Sequence, residues 1–93
     1  MYRDDPLDDE AELRWVVGDE AVDKLLDAGG TTALGAALDT LRILQGWVDV
    51  EVCVRWLSTP QRGLGDRSPL DALGAGASEE VAEVLQRFVA AQS

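Results

Sequence analysis

Histidine is absent from this chain, and cysteine and lysine occur once each, as Cys53 and Lys24. Without histidine there is no Ser-His-Asp or Cys-His nucleophilic arrangement and no mixed Cys/His zinc site. A lone cysteine cannot close an internal disulfide. Glycine-rich phosphate loops are missing too: Gly29-Gly30 ends a helical pattern, and Gly63-Leu64-Gly65 follows a helix where a phosphate loop would follow a strand. No apolar run approaches membrane-spanning length. The start, Met1-Tyr2-Arg3-Asp4-Asp5-Pro6, lacks the cationic and apolar blocks of a signal peptide. The expectation is a cytoplasmic protein that is not an enzyme and uses no metal or cofactor. Basic side chains are also scarce, with 8 against 18 acids for a net charge of −10. Such a surface opposes a phosphate backbone, so direct nucleic-acid binding is not expected. The acidic surface of a halophile is the other source of this charge.

What is present reads as helix. At 93 residues the chain makes one small domain, able to bury about two-thirds of its unfolded surface, and a partner subunit would help stabilise it. The charge is uneven: residues 1–51 hold 13 acids and 4 bases, residues 52–93 hold 5 and 4. The six carboxylates between Asp4 and Glu12 read as a solvated helix start, with a metal site as the alternative. Leu7, Ala11 and Trp15 mark a helical seam widened by Leu13 and Val16, and Gly18 interrupts it. Asp19 can cap a second helix with an apolar face of Ala21, Val22, Leu25 and Leu26, stopped at Gly29-Gly30. Thr31 or Thr32 caps a third, in which Leu34, Ala37, Leu38, Leu41 and Leu44 follow the i, i+3, i+4, i+7 rule. Gly46 closes it, with Trp47 packed over the end. A last helix is capped by Ser78, supported by Glu79 and Glu80, and carries the stripe Val81, Val84, Leu85, Phe88 and Val89.

Residues 48–57 are ambiguous by pattern. Val48, Val50, Val52, Val54 and Trp56 alternate as in a half-buried strand, while Val50, Cys53, Val54 and Leu57 make a helical face with Asp49 as cap. As a helix the segment has a second apolar side, Val52 and Trp56, so it is either wrapped by its own neighbours or shared with a partner.

The stretch WLSTPQRGLGDRSPLDAL, residues 56–73, is the most structured in the sequence. Pro60 drives Thr59 out of the helical region, so a helix through Trp56 and Leu57 stops there. Gly63 and Gly65 permit the positive φ of a sharp reversal. Ser68 then stands where an N-cap belongs, with Pro69 at the first helical position and Asp71 in the first turn; Gly74 stops this short helix. Leu57, Leu64, Leu70 and Leu73 anchor both arms. The result is a corner between two helices.

This run resembles the signature of the MbcA/ParS/Xre antitoxin C-terminal, toxin-binding domain: a Trp-Leu, a Pro a few residues on, a Leu-Gly turn, an Arg-Ser-Pro and a following Leu-bearing helix. The resemblance spans roughly Leu41 to Phe88. It implies that residues 48–57 are helical, and it makes the fold class all-α, a small compact bundle of about five to six short helices. The division is an acidic helical segment 1–45 and an antitoxin-like region 46–93 within one compact domain. Family members neutralise a RES-domain, NAD-consuming toxin by packing on it, with the C-terminal tail closing the NAD pocket. The Xre-type helix-turn-helix that usually precedes the domain is not evident in the acidic front half, so operator binding is not carried over.

The partner-binding residues this implies are Trp56, Arg62, Leu64, Arg67, Arg87, Phe88 and Ser93. Arg62 and Arg67 would offer a fork to a partner's oxygens, or would instead cap helices and bridge carboxylates, as would Arg55 beside them and Arg87. Trp15, Trp47 and Trp56 read as core or contact. The functional expectation is a non-catalytic, antitoxin-like module that binds a RES-domain toxin and occludes its active site, as a homodimer or hetero-oligomer. The alternative is a homodimeric structural or adaptor module that reuses the fold without a toxin.

Overall fold

Residues 6–92 are described by the computed structural model. They form α1 (Pro6–Val17), α2 (Asp19–Gln45), α3 (Val50–Ser58), a 3₁₀ turn (Arg62–Leu64), α4 (Pro69–Gly74) and α5 (Ser78–Gln92). The all-α expectation holds. Among the described residues the only extended pairing is one isolated bridge between Gln61 and Arg67.

Local chemistry accounts for most helix ends. The Asp49 carboxylate accepts from the Val52 N–H at 3.1 Å, so the ambiguous segment is the helix α3, and Thr59 ends it in extended conformation. Ser68 caps α4 in the same manner, its hydroxyl accepting from the Asp71 N–H at 3.1 Å ahead of Pro69. Two expected caps differ. Gly18, at φ 97°, is the N-cap of α2 and Asp19 is already helical. α5 begins at Ser78 itself, with the Val81 N–H donating to the Ala77 carbonyl at 3.1 Å. The expected stop at Gly29-Gly30 is a kink: Gly30 leaves helical geometry at φ 69°, ψ −159°, and the chain resumes as the second arm of α2.

Both arms of α2 form the spine, and α1, α3, α4 and α5 all pack on it. One core runs through Leu13, Val22, Leu25, Leu41, Leu44, Leu57, Leu64, Leu73, Val81 and Leu85, drawn from every element. The α2–α4 approach is close because both sides lack a side chain. A Cβ on Gly29 would stand 2.9 Å from the Gly74 carbonyl oxygen, and one on Gly74 would stand 3.0 Å from the Ala28 Cβ. The acidic front helices thus complete a core that α3 to α5 do not close by themselves.

The α1 seam is a correction. Leu13 and Val16 face the core, whereas Trp15 is 78% exposed and Ala11 is exposed. Arg14 is compatible with this rotation and ties it to α2. Its guanidinium reaches Glu10 and Asp23, both at 2.9 Å, and Asp19 at 3.4 Å, tying α1 to the start of α2. Its pKa lies above the ordinary arginine value, chiefly through the hydrogen bond to Asp23 and then that to Glu10. Trp47, which follows the end of α2, is 48% exposed.

Candidate functional site: the corner and the face of α5

The corner between α3 and α4 is closed by its own backbone. The carbonyl of Gln61 accepts from the N–H groups of Leu64 and Asp66, both at 3.0 Å, and the Gln61 N–H donates to the Arg67 carbonyl at 3.0 Å. Two consecutive left-handed residues, Gly65 (φ 68°) and Asp66 (φ 64°), make the reversal. The sequence reading placed positive φ at Gly63 and Gly65. Gly63 instead lies within the 3₁₀ turn, and its missing side chain serves packing: a Cβ there would meet Val84 Cγ2 at 3.0 Å and Arg87 Nη1 at 3.7 Å. α5 therefore lies directly against the corner.

The expected partner-binding residues separate by position. Leu64 is buried and plugs the corner into the core. Trp56 is also buried, with its ring 5.7 Å from that of the half-buried Phe88 at a tilt of 42°. This tilted pair pins the C-terminal part of α5 onto α3. Arg67 turns inward along the corner, donating from Nε to the Leu64 carbonyl at 2.9 Å and approaching Glu80 at 3.8 Å. It fastens the turn to the first turn of α5. Arg62 and Arg87 are exposed, and the Arg87 guanidinium lies over Gly63, next to Arg62 in the chain. Arg87 and Phe88 are neighbours on α5, and Arg62 is exposed at the start of the 3₁₀ turn beside Gly63. Ser93 lies outside the described residues.

Arg55, read from the sequence as part of the same basic cluster, is on another face. It lines a shallow groove between α1 and α3 with Trp15, Val16, Val50, Glu51 and Val54. Sequence reasoning missed this groove, although the two-sided apolar pattern of α3 was its signal. Cys53, Trp56 and Leu57 are buried, Val52 and Val54 are half covered, and Val50 is exposed. Burial raises the pKa of the Cys53 thiol, with a smaller contribution from the Asp49 charge. Among the described residues no group of three or more histidine, cysteine or acidic side chains is placed to hold a metal ion. None of the helices is long and apolar enough to cross a membrane.

No curated protein and no solved structure matches the chain. A family model does, over residues 47–88, from Trp47 ahead of α3 to Phe88 in α5. The matched region contains α3, the corner and α4 whole, and stops at the aromatic residue that pins α5. Residues 47–88 match the model of the antitoxin Xre/MbcA/ParS C-terminal toxin-binding domain.

Proposed function

We propose that the chain is the antitoxin of a RES-domain, NAD-consuming toxin, acting in the cytoplasm by direct binding and occlusion of the toxin's active site. The family match over residues 47–88 is the observation that carries this reading. The geometry supports a particular contact surface. Arg62 in the 3₁₀ turn and Arg87, whose guanidinium lies over Gly63, are both exposed, and their guanidinium groups can take a partner's carboxylate or carbonyl oxygens. Phe88 offers an apolar edge beside them. Trp56 and Leu64 hold this surface from beneath, and Arg67 fixes the angle between corner and α5. The helix α5 runs to Gln92, one turn beyond Phe88, where the Gln92 amide donates to the Phe88 carbonyl at 3.3 Å. The binding mode needs no catalytic group on this chain.

The acidic front complements a cationic NAD-binding site on the toxin and steers the encounter. Operator binding is not part of the proposal, since α2 carries Asp19, Glu20, Asp23, Asp27 and Asp39 against Lys24 and Arg42. The test is capture of the tagged chain from its native cytoplasm, with bound proteins identified by mass spectrometry. A stoichiometric RES-type enzyme whose NAD turnover falls on adding this chain supports the proposal. Recovery of the chain alone points to the homodimeric adaptor.

A further inference from the structure

The α1–α3 groove lies outside the corner and α5 surface, and the proposed toxin contact does not use it. Its walls are Trp15 and Val16 from α1 and Val50 and Val54 from α3. Trp15 is 78% exposed, more than any other large apolar side chain among the described residues, and Val50 is 38% exposed. Tryptophan loses little conformational freedom for the area it covers and dominates interface energetics. An uncovered indole beside the exposed Val50 and the half-covered Val54 is an unfinished apolar contact.

The groove's charges indicate what finishes it. Glu51 and Arg55 stand one helical turn apart on α3, and both line the groove. At this i, i+4 spacing an intrahelical pair could form, yet neither has an ion-pair partner among the described residues. One acid and one base on one strip of helix are self-complementary. When a second copy approaches about a two-fold axis near the middle of α3, the two α3 helices run antiparallel. Glu51 of each then faces Arg55 of the other, and Val50 faces Val54. The local charge balance matters, because elsewhere residues 1–51 are strongly acidic and would repel a second copy. We infer that the Trp15–Val54 groove is the interface of a symmetric homodimer, sealed by two reciprocal Glu51–Arg55 pairs and leaving the Arg62/Arg87 surface of each copy free.

The proposal is tested by sedimentation equilibrium of the full chain over a concentration series, with far-UV circular dichroism confirming the fold of each variant. The wild type is expected to self-associate as a dimer. Trp15→Glu and Val50→Glu, both at exposed positions, should each weaken the dimer by roughly thirtyfold or more. Glu51→Arg alone places arginine against arginine across the axis, and Arg55→Glu alone places glutamate against glutamate, so each weakens self-association. An equimolar mixture of these two variants restores both pairs and should dimerise about as well as the wild type. The double variant Arg62→Glu/Arg87→Glu should dimerise unchanged, which separates this interface from the toxin-binding reading. A wild type that stays monomeric overturns the inference. So does a dimer insensitive to Trp15→Glu and Val50→Glu, or a charge-variant mixture no tighter than its components.

Discussion

Trp15 and Trp56 sit on neighbouring helices and stand in opposite worlds: one is 78% exposed, the other 6%. Trp56 belongs to the corner region, where cap, proline and glycine positions fix each side chain's direction and α5 closes over the ring through Phe88. Trp15 belongs to the α1–α3 face, where Leu13 and Val16 turn into the core, one arginine of α1 is tied to three carboxylates, and the indole and Val50 are left exposed. The difference shows that an apolar residue at helical spacing reports a helix, while its cover is decided by tertiary packing. The corner buries its aromatic residue to hold a shape. The other face leaves its tryptophan available.

The sharpest way to break this comparison is to truncate both residues. Trp56→Ala should cost about 3–5 kcal/mol, enough to threaten folding in a domain this small. Trp15→Ala should change monomer stability by no more than about 0.5 kcal/mol. Urea denaturation at concentrations below self-association measures both, and equal losses would erase the distinction between the two faces. Glycines give the next contrast. Gly29→Ala pushes a methyl to within 2.5 Å of the Ala33 Cβ and 2.9 Å of the Gly74 carbonyl, so it should destabilise by about 1–3 kcal/mol. Gly35→Ala, with nothing within 4 Å on the same helix, should stabilise by roughly 0.5–1 kcal/mol. Thermal unfolding of the two variants should move in opposite directions.

Smaller effects refine the corner itself. Ser68→Ala removes the α4 cap and should cost about 1 kcal/mol, whereas Arg62→Ala, at an exposed side chain, should stay within about 0.5 kcal/mol. Urea midpoints of the two variants decide this pair. The smallest effect is one of pH. The buried Cys53 thiol has a folded pKa above its unfolded value, so the folded state keeps a proton that the unfolded state releases. Its contribution is complete below the unfolded thiol pKa, about 8.5, and is lost as pH rises from there through the raised folded value. Stability measured between pH 7 and 10 should therefore fall, and Cys53→Ala should flatten that part of the slope.

How much of this was legible follows the same division. Thr59-Pro60 and Ser68-Pro69 act on backbone groups within a few residues, so their chemistry could be read directly from the sequence, whereas Asp49 was a cap only in the helical reading of 48–57 that the family resemblance selected. The reversal was located correctly, but its left-handed residues were Gly65 and Asp66, because Gly63 answers to α5 and not to the turn. The Gly29–Gly74 approach joins residues distant in sequence and leaves no local signal. Arg62 and Arg67 flank the same corner with the same side chain. Only the carbonyl of Leu64 and the carboxylate of Glu80, brought near by folding, turn one inward and leave the other outside. Arg55 parted from that cluster for a similar reason, since its direction depends on where α1 docks.

The most direct measurement of the central claim is NAD turnover by the RES-type enzyme captured with this chain, titrated with wild type, Arg62→Glu/Arg87→Glu and Trp15→Glu. The account predicts stoichiometric inhibition by the wild type and by Trp15→Glu. For the double arginine variant it predicts inhibition weakened by about thirtyfold or more at unchanged melting temperature. Full inhibition by the arginine variant would contradict it and place the toxin contact elsewhere on the molecule.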